Sequence, residues 1–113
     1  MIVKSAAPMT SEVMSLVADR FKALAEPARL AILSSLLEGE RTVGELVDAT
    51  GLGQANVSKH LQVLHGAGFV GRRRDGSFVR YWLVDEDVLR LCDLMCGRLQ
   101  REQESLAELL EGA

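Results

Sequence analysis

Residues 42–83 read TVGELVDATGLGQANVSKHLQVLHGAGFVGRRRDGSFVRYWL, and this stretch decides the architecture. Thr42 followed three residues later by Glu45 has the spacing of a capping box. The Thr42 hydroxyl can accept from the Glu45 amide while the Glu45 carboxylate reaches back to the Thr42 amide. The spacing predicts a short helix with Val43, Leu46 and Val47 turned inward. Gly51 closes it, because glycine takes the left-handed backbone of a helix end without a side-chain penalty. A second helix starts near Gln54. Val57, Leu61, Val63 and Leu64 give it an apolar face, and Asn56, Ser58, Lys59 and Gln62 point elsewhere. Two helices joined by a tight glycine-containing turn form a helix-turn-helix, here over about 42–65.

The rest of the stretch narrows the class. Gly66, Gly68 and Gly71 break the second helix, and Phe69-Val70 opens an extended run into Arg72-Arg73-Arg74. Asp75-Gly76 signals a tight turn. Ser77 to Leu83 reads as a returning strand, with Phe78, Arg80 and Trp82 on one face and Val79, Tyr81 and Leu83 on the other. A β-hairpin at about 69–83, with arginines near its tip, is a wing. The predicted fold class is mainly α with a β-hairpin wing: one winged helix-turn-helix domain over 1–113.

Outside this segment the pattern is helical. Val13, Leu16, Val17, Phe21 and Leu24 share a face of a first helix running from Thr10 or Ser11 to about Ala25. Pro27 suits the first turn of a second, carrying Ala28, Leu30, Ala31, Ile32, Leu33, Leu36 and Leu37 up to Gly39. Asp85 caps a long last helix that reaches Leu109 or Leu110, with Glu86 and Asp87 near its positive end. Its stripe is Val88, Leu91, Cys92, Met95, Leu99, Leu106 and Leu110. One small domain does not cover both this stripe and the first helix. The expected solution is a homodimer built from the helices at about 10–25 and 85–110. Leu16, Phe21, Val88, Leu91, Met95 and Leu99 are expected in its interface.

The chain has 113 residues, 48% of them hydrophobic, which excludes a disordered polymer. No apolar run approaches a membrane span, and MIVKSAAPMTSE at the start shows no secretory signal. A cytoplasmic protein without a membrane partner is expected. The net charge of −3 hides a polarity. Between Asn56 and Trp82, Lys59, Arg72, Arg73, Arg74 and Arg80 stand against Asp75, a net of +4. From Leu83 onward the balance is −5. A polyanion is attracted to the first region and repelled by the second. No Ser/His/Asp set, phosphate loop or catalytic metal spacing is present, so no enzyme is expected.

These observations point to double-stranded DNA. A helix fits the major groove, where Gln54 and Asn56 can pair with adenine and Lys59 with guanine, while Ser58 and His60 suit bases or phosphate. Arg72, Arg73, Arg74 and Arg80 are expected on phosphates or in the minor groove. Arg29 reads as a structural ion-pairing residue. The competing function is a winged-helix module that binds protein, which the overall acidity allows.

Cys92 and Cys96 lie one helical turn apart. They can be structural, as small apolar side chains in a packed interface. They can also sense an inducer, either by capturing a thiophilic metal or metalloid ion or by reacting with an oxidant or reactive sulfur. Two sulfurs do not complete a tetrahedral site, so a third ligand or the partner subunit is required.

FKALAEPARLAIL at residues 21–33 and QANVSKHLQVL at 54–64 resemble the opening helices and recognition helix of the ArsR/SmtB repressors, and the wing from Arg72 to Leu83 is similar as well. The resemblance implies a homodimeric winged-helix repressor that leaves its operator when an inducer binds. Two departures stand out. The Cys-x-Cys pair of the family's arsenic and lead sensors is replaced by Thr42-Val43-Gly44-Glu45-Leu46. Asp85 and Asp87 occur where its zinc and nickel sensors place ligands on the last helix, but no histidine follows; His60 and His65 are the only histidines. A ligand-independent repressor with structural cysteines is the alternative.

Overall fold

The structure, a computed structural model, describes residues 9–112; the N-terminal segment expected to lack a secretory signal lies largely outside it. Helix α1 spans Ser11–Leu24, its N-terminus capped by Thr10 Oγ1, which accepts from the Val13 amide at 3.2 Å. Helix α2 spans Pro27–Ser35, with proline in the first turn, where a missing N–H costs nothing. It stops short of the expected Leu37. Leu36 caps it, and the chain turns through Gly39 at φ +141°.

Arg41–Thr42 then form a two-residue strand, β1, too short to leave a periodicity in the sequence. Helix α3 (Val43–Thr50) carries the complete capping box: Thr42 Oγ1 accepts from Glu45 N at 3.2 Å, and Glu45 Oε1 accepts from Thr42 N at 3.0 Å. Gly51 ends it at φ +73°, as its position predicts. Helix α4 spans Gln54–Gly66. Gly66 is its last residue, Ala67 caps it, and Gly68 follows in the left-handed conformation at φ +83°. There the Gly68 amide donates to His65 O and the Phe69 amide to Leu64 O, both at 3.0 Å, the two bonds of a Schellman motif.

Strands β2 (Val70–Asp75) and β3 (Phe78–Leu83) form the hairpin, with Gly76 at φ +63° in its two-residue loop. The sheet order is β1-β3-β2, antiparallel throughout. Helix α5, Asp87–Glu111, follows an Asp85 Oδ1 that accepts from the Asp87 amide at 2.6 Å. Its 25 residues extend about 37 Å at 1.5 Å each.

The core joins Leu24 of α1, Ile32 and Leu33 of α2, Leu36, Leu46 of α3, Val57, Leu61 and Leu64 of α4, and Val70 and Tyr81 of the hairpin. Val88 belongs to it too, at 5% exposure. That corrects the expectation of Val88 in the subunit interface: the first turn of α5 packs against its own domain. Val88 is the only buried residue of α5 among those described. The apolar side chains of α5 beyond Leu89, and those of α1 before Ala23, remain largely uncovered. Leu16 is 58% exposed, Phe21 54%, Leu99 57% and Leu94, which the stripe reading passed over, 72%. Among the described residues, no helix is long and apolar enough to cross a membrane.

Candidate nucleic-acid interface

Helix α4 is held by one face. Val57, Leu61 and Leu64 are fully buried, so the opposite face must look outward. Lys59 lies there and Asn56 on its flank, both exposed; Gln54, three residues before Val57, is exposed at the first turn, and Ser58 and His60 are half-buried. Gly53 precedes the helix without a side-chain cap, leaving its first amides open to an external acceptor.

His60 is already engaged within the domain. Its Nδ1 accepts from Arg29 Nε at 3.1 Å, which leaves Nε2 for any outside partner. Arg29 Nη1 donates to Lys22 O and Ala23 O, both at 3.3 Å. Arg29 therefore does not form the ion pair expected of it among the described residues. It ties the end of α1 and the side of α4 to α2 by hydrogen bonds to neutral acceptors.

The four wing arginines divide by strand alternation. In the β2–β3 ladder, Arg72 faces Tyr81 and Arg74 faces Val79, while Gly71 faces Trp82 and Arg73 faces Arg80. Directly opposed residues share a sheet face. Val70, Arg72 and Arg74 thus lie on the face that packs on the core, and beyond Val70 that face emerges into solvent. Arg73, Arg80 and Trp82 lie on the other.

The outer face is internally neutralised. Both Nη atoms of Arg73 donate to the Glu40 carboxylate, Nη2 to Oε2 at 2.7 Å. The same guanidinium lies 5.6 Å from the centre of the Trp82 ring. Arg80 Nε donates to Asp75 Oδ2 at 2.8 Å, and its Nη1 is 3.7 Å from Glu45 Oε1. The charges respond accordingly. The hydrogen bond from Arg73 holds the Glu40 carboxyl below the usual range, and that from Arg80 does the same for Asp75. Glu45 is lowered first by the Thr42 amide of the capping box. Arg73 and Arg80 are raised in turn, each first by its carboxylate hydrogen bond.

Arg72 and Arg74 are exposed and form no ion pair among the described residues. The expectation that treated all four arginines alike is therefore revised: two are committed to carboxylates and two are open. Strand alternation alone could have separated Arg73 from its neighbours. The carboxylate partners, especially Glu40, carried no local signal.

Cys92 is half-buried and Cys96 exposed. Both line a groove between α2 and α5, together with Leu30, Ser34, Leu37 and Leu89. Burial, then the neighbouring Cys96, pushes the Cys92 thiol up. Among the described residues, no group of three or more His, Cys, Asp or Glu side chains is placed to hold a metal ion. The two sulfurs fit at most half of a tetrahedral site within one chain.

Comparison with known proteins gives this geometry a context. The model for bacterial regulatory proteins of the arsR family matches residues 26–71. Rv0081 of Mycobacterium tuberculosis, an uncharacterized HTH-type transcriptional regulator, is 45% identical over 95 residues, covering 83% of this chain and 83% of that protein. A probable mercury resistance operon repressor of Streptomyces lividans is 46% identical over 71 residues, 63% of this chain and 57% of that protein. The homodimeric winged helix-turn-helix DNA-binding domain (fragment 1-100) of Mb0332 from Mycobacterium bovis matches with a TM-score of 0.73 and 34% identity, over 90% of this chain and 94% of that one. With its capped helix-turn-helix, its three-stranded wing and relatives of this extent, the chain belongs to the ArsR family of bacterial regulatory proteins.

Proposed function

We propose that the chain is a homodimeric transcriptional repressor that binds operator DNA through α4 and the wing and leaves it when an inducer binds. One observation carries the reading. The exposed surface of α4, with Asn56 and Lys59 and with Gln54 at its first turn, is backed by the same core as the sheet face from which Arg72 and Arg74 emerge. Helix and hairpin can then engage one duplex, the helix reading base edges and the arginines gripping phosphate. The uncovered apolar faces of α1 and α5 support a dimer, in which Leu16, Phe21, Leu91, Met95 and Leu99 become buried. The homodimeric relative and the repressor relative are consistent with both parts.

The inducer acts through Cys92 and Cys96 in this reading. The neutral Cys92 thiol is a poor nucleophile towards oxidants, which favours a thiophilic metal or metalloid ion able to displace the proton. The donors missing from one chain then come from the partner subunit or solvent.

Fluorescence anisotropy with the chain's own promoter fragment and with unrelated DNA tests the function. Tight, salt-dependent binding that prefers the promoter supports it. Equal, negligible affinity for both fragments leaves a protein-binding module as the function.

A further inference from the structure

The Glu40–Arg73–Trp82 cluster lies away from α4, yet it bears on how the wing meets DNA. Beyond Val70 no residue of β2 is buried, so apolar packing does not hold the outer half of the hairpin. A two-stranded hairpin in water is marginally stable on its own. Strand β1 braces only β3, through Arg41 opposite Tyr81 and Thr42 opposite Arg80. Strand β2, which bears Arg72 and Arg74, is the free edge.

Near the tip Arg80 links Asp75 of that edge to Glu45, and a second side-chain contact crosses the sheet from the residue before β1. Continuing the β1 register by one residue places Glu40 beside Trp82, and the next position across the sheet is Gly71. With no side chain at Gly71, the indole leans over β2 and provides a surface for the Arg73 guanidinium. Glu40 then grips both guanidinium nitrogens from the corner before β1. Paired, planar hydrogen bonding of this kind fixes direction as well as distance. Arg73 is thereby tethered at three points, to its own strand, to Trp82 and to Glu40.

We propose that Glu40 is a positioning residue for DNA binding. By holding Arg73 against Trp82 it sets the pitch of β2 relative to α4, so that Arg72 and Arg74 on the opposite face reach phosphate together with the recognition helix. Arg73 itself stays on Glu40 and does not contact DNA. This rests on the reading of the wing as a DNA contact.

The test measures operator affinity against salt for the full-length wild type, Arg72→Gln, Arg74→Gln, Arg73→Gln, Glu40→Gln and the Glu40→Gln/Arg73→Gln double variant. Each phosphate contact removed lowers the slope of log K against log salt by about 0.9, so a substitution carried by both subunits of the dimer lowers it by about 1.8. Arg72→Gln and Arg74→Gln are expected to show that loss. Arg73→Gln is expected to weaken binding about fivefold with an unchanged slope, the size of effect that a freed segment and a lost surface pair produce. Glu40→Gln is expected to be non-additive with Arg73→Gln, and to shift Trp82 emission in the DNA-free protein as Arg73→Gln does. Since Trp82 is the only tryptophan, that signal reports the cluster directly. A slope lowered by about 1.8 in Arg73→Gln overturns the proposal, because Arg73 of both subunits then contacts phosphate. So does strict additivity, or tighter binding in Glu40→Gln that persists in the Arg73→Gln background. If Arg72→Gln and Arg74→Gln leave both affinity and slope unchanged, the wing is no DNA contact and the underlying reading fails first.

Discussion

Gly71 and Trp82 are direct partners in the β2–β3 ladder, and a Cβ at Gly71 would lie 2.7 Å from Trp82 Nε1 and closer still to two ring carbons. The backbone at Gly71 has no need of a positive φ, so this glycine is required for space alone. Gly71→Ala must displace the indole, and with it the surface on which Arg73 rests. The expected cost is about 1–2 kcal/mol of stability, the usual range for overpacking against a ring with partial freedom to move. Urea unfolding followed by Trp82 fluorescence measures it. A midpoint and emission maximum identical to wild type would mean that the ring is not held where the ladder puts it.

The same cluster makes the wing sensitive to acid. Glu40 and Asp75 both have carboxyls depressed by arginine hydrogen bonds. A carboxylate whose folded pKa lies below its unfolded value stabilises the fold above the unfolded pKa. That contribution is lost as pH falls through the folded one. Trp82 emission should therefore be flat through neutrality and change only at a pH below the ordinary glutamate range. Glu40→Gln should remove that transition, because it is the carboxyl beside the ring. A transition at or above the usual glutamate value, or one that survives in Glu40→Gln, contradicts this assignment.

The parts readable from the chain are those governed by near neighbours. Thr42 and Glu45 sit three residues apart, Gly51 and Gly76 need only their own backbone angles, and Pro27 acts on its own turn. The parts that escaped are those settled by distant segments. Glu40 and Arg73 are 33 residues apart, and no local pattern marks them as partners. Strand β1 exists only because β3 lies alongside it. Val88 shows the limit of helical periodicity. It shares a stripe with Leu91 and Leu99, and spacing cannot say which part of a stripe faces the chain's own core and which faces a second copy.

That distinction predicts different outcomes along α1 and α5. Phe21 and Leu99 are largely exposed in one chain, so Phe21→Asp or Leu99→Asp should leave the domain folded. In a dimer each change occurs twice. Losing about 1.5–3 kcal/mol of apolar burial at each copy raises the dimer dissociation constant at least about a hundredfold. Sedimentation should show a monomer with unchanged circular dichroism, and operator affinity should fall because half-site binding loses its partner. Val88→Asp should behave oppositely, unfolding the domain itself. A Phe21→Asp/Leu99→Asp double variant that remains dimeric at micromolar concentration would place the interface elsewhere.

The cysteines give the last prediction. Cys92 is raised chiefly by burial and only secondarily by Cys96. Desolvation disfavours the thiolate, so its proton should be retained above the ordinary thiol range. Alkylation of Cys92 should consequently be slow at neutral pH and rise at more alkaline pH than for a free thiol, and most of that delay should remain in Cys96→Ser. An ion that binds both sulfurs works against this by displacing the proton, so its apparent affinity should climb with pH across the same interval. If the pair is the inducer site, Cys92→Ser and Cys96→Ser should each abolish operator release by mercuric ion or arsenite while leaving operator affinity intact. Anisotropy of the bound operator during titration reads this directly. Equal release from wild type and both variants would make the thiols structural and move the inducer site off the α2–α5 groove.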